Sequence, residues 1–126
     1  MKGLSSRAQR LLTALAQEEG RKSGSTELLP EHVLLALLKS ADGVGYEVLK
    51  ALNINVLSFQ LVLEQSLSPR ENLSSEFSEL PPSRRLRTLL DVAVVESRSL
   101  RSEYVGTEHL LLAAIREESS VAYRFF

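Results

Sequence analysis

Between residues 4 and 19 the apolar positions recur at helical spacing. Leu4, Ala8, Leu11, Leu12, Leu15 and Ala16 share one broad stripe, while Arg7, Gln9, Arg10 and Glu18 fall mostly off it. This pattern predicts an amphipathic helix that Ser5 or Ser6 can cap. The segment GRKSGSTE (20–27) follows with two glycines and small polar residues, so the helix is expected to stop at Gly20 and enter a loop. Pro30 suits the first turn of a second helix, where its missing N–H has no intrahelical acceptor to lose. HVLLALL (32–38) is apolar nearly all round. A run of that length also fits a buried strand, but the Pro-Glu start and the Leu and Ala content favour a buried helix. Asp42 is placed to cap a third helix carrying Val44, Val48, Leu49 and Leu52. Asn53 is placed to end it, and Asn55 to cap a fourth whose inner face takes Leu57 and Leu61, with Val62 beside them.

The periodicity then lapses. SLSPRENLSSEFSELPPS (66–83) is rich in Ser and Pro and reads as a linker. A second long helix is predicted from about Ser83 to Arg101, with Leu86, Leu89, Leu90, Ala93 and Val94 inward. A short helix begins near Thr107 as TEHLLLAAI, and SVAYRFF (120–126) starts a last one.

The two halves repeat. PEHVLLALL (30–38) lies over TEHLLLAAI (107–115) at a constant offset of 77, which sets Glu31 on Glu108 and His32 on His109. Upstream the offset is 78, setting Arg7 on Arg85, Leu11 on Leu89 and Leu12 on Leu90. One residue has therefore been gained between the two elements of the first copy. A long amphipathic helix, a polar loop and a nearly all-apolar helix cannot bury both surfaces alone, so two such units are expected to pack together. The predicted fold is all-α: a pseudo-twofold tandem repeat forming a compact bundle of about seven helices. It is read as a single domain over 1–126, with repeat one at about 4–67, the linker at about 68–82 and repeat two at about 83–126.

Composition narrows the function. The chain has no Cys and only two His among 126 residues, which removes disulfides and thiolate chemistry and makes a catalytic metal improbable. Its formal charge of -1 gives no field for a phosphate backbone. Arg84, Arg85 and Arg87 form the best basic patch, but Asp91 and Glu96 follow on the same helix, so nucleic acid is not an expected partner. No apolar run approaches the roughly 20 residues that span a bilayer, and no export signal opens the sequence; no membrane role and a cytoplasmic location are expected. No nucleophile has an orienting partner at recognisable spacing, so no enzyme, metal or cofactor is expected.

Chemistry concentrates in the repeated Glu-His turns. A carboxylate in the first turn of a helix is favoured by the orphan amides and the dipole, and this alone accounts for Glu31 and Glu108 as helix starters. The competing reading is a binding role, each carboxylate drawing a guanidinium while neighbouring amides take an anion. His32 and His109 read as structural, hydrogen-bonded across a loop. Arg7 and Arg85 either bridge to acidic groups inside the domain or face a partner. Tyr104, with Val105, reads first as closing the core and second as a partner contact. Phe77 either pins the linker across the seam or is an exposed anchor.

RAQRLL with LAQEE, then PEHVLLALL, and YVGTEHLLLAAIREE in the second half, resemble the N-terminal double-repeat domain of the Clp (Hsp100) ATPases, of the ClpC and ClpA type. The resemblance covers 4–67 and 83–126. It implies an eight-helix domain mounted on a hexameric unfoldase with its associated protease, receiving adaptor proteins and substrate proteins for unfolding and degradation. In one ClpC-type branch the repeated glutamates and neighbouring threonines bind phosphoarginine on proteins marked for degradation. Carried onto this chain, those residues are Glu31, Glu108 and Thr107. Pro30 stands where that pattern has Thr, and Leu29 where it has a small residue. The final helix of the family is expected to be missing after Phe126. No Walker motif is present, so ATP would be used only in a parent ATPase. The alternative is a stand-alone accessory protein docking on a Clp chaperone or protease core.

Overall fold

Six helices make up the regular structure among the described residues, 3–41, 43–67 and 79–117 of the computed structural model. Ser6–Arg10, Leu11–Leu15 and Ala16–Lys22 run end to end as one rod, α1. The others are α2 (Pro30–Ser40), α3 (Val44–Ala51), α4 (Val56–Ser66), α5 (Arg84–Ser99) and α6 (Thr107–Arg116). Caps start three of them. The side chains of Ser5, Asn55 and Ser83 accept from the amides of Ala8, Ser58 and Leu86, each taking one donor that the first turn leaves without a partner.

The middle of α1 differs from its counterpart. Leu11–Leu15 is π-helical, and the amide of Ala16 reaches back five residues to the carbonyl of Leu11. α5 is α-helical throughout. A π turn holds one residue more than an α turn, and the repeat register changes across this segment: Leu12 matches Leu90 at 78, whereas Ala16 matches Ala93 at 77, both alanines fully buried. The residue gained in the first copy is taken up inside α1, not in the loop that follows it.

The pseudo-twofold relation is visible in the backbone. Leu4 pairs in parallel with Val105, and Leu28 pairs in parallel with Pro82. Under the repeat, Leu4 corresponds to Pro82 and Leu28 to Val105, so the two bridges are the same contact made twice. The bonds agree. The amide of Ser5 donates to Val105 (2.9 Å) as that of Ser83 donates to Leu28 (2.9 Å); Val105 donates to Gly3 (3.0 Å) as Leu28 donates to Pro81 (2.8 Å). Each repeat thus ties the entry of its long helix to the entry of the other repeat's short helix.

α2 sits at the centre, touching α1, α3, α4, α5 and α6. Residues 30–38 are all buried, and Leu34, Leu37 and Leu111 are among the largest fully buried side chains. Burial of this kind stabilises by roughly 2 kcal/mol per leucine. Ion pairs brace both short helices at matching positions: Lys39 to Glu19 (3.0 Å) and Arg116 to Glu96 (2.9 Å).

Several expectations need correction. Gly20 does not stop α1. It is buried within the helix, and a Cβ there would collide with Leu80; the left-handed residue after the helix is Gly24, at φ 69°. On α4 the inner face is Phe59 and Leu63, while Leu57, Leu61 and Val62 are exposed, because the helix packs on α2 through the side that carries 59 and 63. On α3 Leu49 is buried and Val48 half-buried, but Val44 and Leu52 are exposed. Asp42 lies outside the described residues, and the N-cap of α3 is Gly43. Phe77 and the SVAYRFF segment also lie outside the described residues.

Candidate functional site

Both Glu-His turns begin with the same device. The amides of Leu29 and Gly106, the residues that precede α2 and α6, donate to Nδ1 of His32 (2.9 Å) and His109 (2.8 Å), three positions on. This is one half of a capping box, with imidazole in place of the usual Glu or Gln. At His32, accepting at Nδ1 leaves the proton of the neutral ring on Nε2, 2.9 Å from the Ser23 hydroxyl, which itself donates to the carbonyl of Gly20. Burial pushes His32 down to about 4, against an opposing pull from Glu19. Both histidines are buried and hydrogen-bonded, as a structural role requires. Among the described residues no three His, Asp or Glu side chains are grouped to hold a metal ion.

Past the cap the turns diverge. In the first, Glu31 is buried and its two carboxylate oxygens each accept from one terminal nitrogen of Arg85, both at 3.0 Å. Nε of Arg85 donates to Glu117 at 2.6 Å. Burial alone would lower the Arg85 pKa, but its bonds to the two carboxylates outweigh that and hold it above the ordinary value. Planar, bidentate pairing of this kind is the strongest geometry available to a guanidinium.

In the second turn, Glu108 is partly exposed, its carboxylate folded back over Gly106. Thr107 is buried, and its hydroxyl accepts from the amide of Gly45 at 2.9 Å. That amide belongs to the first turn of α3, whose N-cap, Gly43, has no side chain to offer; Thr107 caps a helix of the other repeat. Arg7 lies along Gly43, its Cδ 2.6 Å from where a Cβ would stand, and φ there is +92°. Between these elements opens a groove of about 540 Å³ lined by Arg7, Val44, Glu47, Tyr104, Thr107 and Glu108. Its volume falls in the range that holds a ligand or an anchored side chain. A smaller groove of about 200 Å³ adjoins it through Arg7 and Thr107 and runs to Arg10, Leu11 and Leu15, along the π segment.

The structure therefore brings the sequence candidates into two groups, Glu31 with Arg85 and Arg7 with Tyr104, Thr107 and Glu108. Val105 closes the core as expected, but Tyr104 is 58% exposed and stands on the groove wall. Sequence reading missed Glu117, Gly43, Gly45 and Glu47. The two glycines flanking Val44 were the available signal, since a helix entered through Gly-Val-Gly has no side-chain cap of its own.

The model of the Clp repeat (R) N-terminal domain family matches residues 3–126. The chain is 36% identical over 118 residues to the negative regulator of genetic competence ClpC/MecB of Bacillus subtilis, covering 94% of this chain and 14% of that protein. Its fold is that of the Hsp104 N-terminal domain from Candida albicans, with TM-score 0.79, 21% identity, and coverage of 98% of this chain and 79% of that one. It also matches a structure described as a peptide from the EAEC T6SS Sci1 SciI protein, with TM-score 0.78, 21% identity, and coverage of 97% and 78%. The chain spans about one seventh of the length of the ClpC/MecB relative.

Proposed function

The chain belongs to the Clp repeat N-terminal domain family, and from that premise we propose that it is the protein-docking module of a Clp-type unfoldase. The matched region is an N-terminal domain and not the ATPase module. Its work is to receive adaptors and substrates; ATP hydrolysis and proteolysis belong to other modules. The observation that carries this reading is the open groove at the second Glu-His turn. There a carboxylate, a guanidinium and an exposed tyrosine surround the start of a helix, and no three His, Asp or Glu side chains among the described residues are grouped to hold a metal ion.

The finer reading is phosphoarginine on proteins marked for degradation. Glu108 accepts the guanidinium, and the first amides of α6, which have no intrahelical acceptor, face the phosphoryl oxygens. Glu31 is the matching carboxylate of the first turn. Tyr104 and Arg7 contact the flanking peptide.

The test is direct binding of the purified chain to an arginine-phosphorylated protein, to the same protein unphosphorylated and to a Clp adaptor, repeated with Glu108→Ala. Phosphorylation-dependent binding lost in the variant is the expected result. Adaptor binding alone keeps the docking role and sinks phosphoarginine. Binding of none of the three overturns both. Binding of a purified Clp chaperone or protease core, added as a fourth ligand, by wild type and variant alike would point instead to an accessory protein acting through another face.

A further inference from the structure

We propose that Arg85 is a built-in occupant of the Glu31 turn, so that this pseudo-twofold domain offers one open turn instead of two. This rests on the reading above that the turns receive a guanidinium. The repeat supplies the internal standard: Arg85 corresponds to Arg7, and Glu31 to Glu108. At the second turn the arginine lies along Gly43 and the carboxylate borders a groove. At the first, the chain's own guanidinium spans both oxygens of the carboxylate at 3.0 Å and is anchored from behind by Glu117.

Three residues act together against an external ligand at the first turn. Arg85 uses both carboxylate oxygens. Pro30, at the place of Thr107, has neither a hydroxyl nor an amide proton for an anion. Leu29, at the place of Gly106, brings a side chain where the second turn has none. An incoming guanidinium must displace one that is already pre-organised, and the exchange gains no bond. The first turn accordingly binds about 100-fold more weakly than the second, a difference of about 2.7 kcal/mol. Arg85 thus sets the number of ligands each chain takes, without touching a ligand itself.

The experiment titrates the ¹⁵N-labelled chain with free phosphoarginine and follows the backbone amides of both turns. In the wild type, shifts are expected at Thr107, Glu108 and His109 with one equivalent bound, while Glu31 and His32 stay still. In Arg85→Met, a second set appears at Glu31 and His32, and the stoichiometry rises to two. A purely structural arginine would not raise it. Two equivalents of comparable affinity in the wild type, or one equivalent in a folded Arg85→Met, overturn the proposal. Should Arg85→Met fail to fold, Glu117→Gln loosens the same guanidinium and is expected to strengthen first-turn binding by a smaller factor; an unchanged first turn overturns the proposal. Absence of any binding defeats the phosphoarginine reading and leaves adaptor docking to its own test, and the clasp is then judged by urea unfolding of Glu31→Gln, Arg85→Met and the double variant. A clasp makes the second substitution add little to the first, whereas additive losses overturn it.

Discussion

The turn at 29–32 and the turn at 106–109 share a backbone and differ in chemistry. Both close on an amide-to-imidazole bond, 2.9 Å at Leu29 and 2.8 Å at Gly106. The braces behind them, Lys39 with Glu19 and Arg116 with Glu96, also recur. What differs is the use of the carboxylate, clasped by Arg85 in one turn and bordering a groove in the other. The folding devices have to operate in both copies, because each short helix must start and be held in the same way. The surface chemistry is under no such requirement and has diverged. Divergence has also joined the copies: Thr107 of the second turn caps α3 of the first repeat, a service that Pro30 has no hydroxyl to return.

The largest expected effect lies in the shared device. His32 has a folded pKa of about 4 against an ordinary 6.5. As pH falls below 6.5 the unfolded chain takes up the proton first, so stability that is full above that pH is lost progressively down to about 4. The loss is of order 3 kcal/mol, read as a falling urea midpoint between pH 7 and pH 4.5. His32→Gln should flatten the upper part of that slope, where carboxylates have not begun to titrate; a wild-type midpoint constant from pH 6.5 to pH 5 would refute the buried neutral ring. Next comes the clasp. Arg85→Leu strands the buried Glu31 carboxylate without its guanidinium. The cost expected at pH 7 is about 2 kcal/mol, below the range for fully buried pairs because Arg85 is partly solvated. A loss under about 0.5 kcal/mol in the same urea measurement would place the pair among ordinary surface bridges.

The fold was legible because periodicity and repetition agree. The stripe on α1, the all-apolar α2, the caps at Ser5 and Asn55, and the matched turns all follow from local rules. α4 was misread because its apolar residues, Val56, Leu57, Phe59, Leu61, Val62 and Leu63, nearly surround the helix; periodicity cannot choose a face there, and packing against α2 does. Gly20 looked like a stop because glycine usually is one. Its real function is to let Leu80 approach, a contact 60 residues away that no local pattern contains. The site was half legible for the same reason. Glu31, Glu108 and Thr107 stand out in the repeat, but their fates depend on Arg85, Glu117 and Gly45, which reach them only through tertiary folding.

A smaller effect tests the link between the copies. Thr107→Val keeps the volume and removes the acceptor that Gly45 uses, leaving a buried amide unpaired at the start of α3. About 1 kcal/mol of stability should be lost, with amide exchange at Gly45 and Tyr46 accelerated more than elsewhere. Uniform acceleration across the chain would show that Thr107 packs and does not cap.

The smallest effect on stability is expected at Glu108, and its size decides how unequal the turns are. Its side chain is 28% exposed and sits in the first turn of α6, where a negative charge is worth roughly a few tenths of a kcal/mol through the helix dipole. Glu108→Ala should therefore shift the urea midpoint by no more than about 0.5 kcal/mol in free energy, whereas Glu31→Ala, which takes both terminal-nitrogen partners from Arg85 and opens a void beside α5, should cost several times that. The ratio matters more than either value, because the two residues are the same type at equivalent positions and the unfolded state treats them alike. If Glu108→Ala proved as costly as Glu31→Ala, the second turn would also be clasped, and its groove would be a gap between structural groups with no reason to receive a partner. A small stability cost joined to a large loss of partner binding would identify Glu108 as the carboxylate left open to a partner by the same fold that clasps its twin.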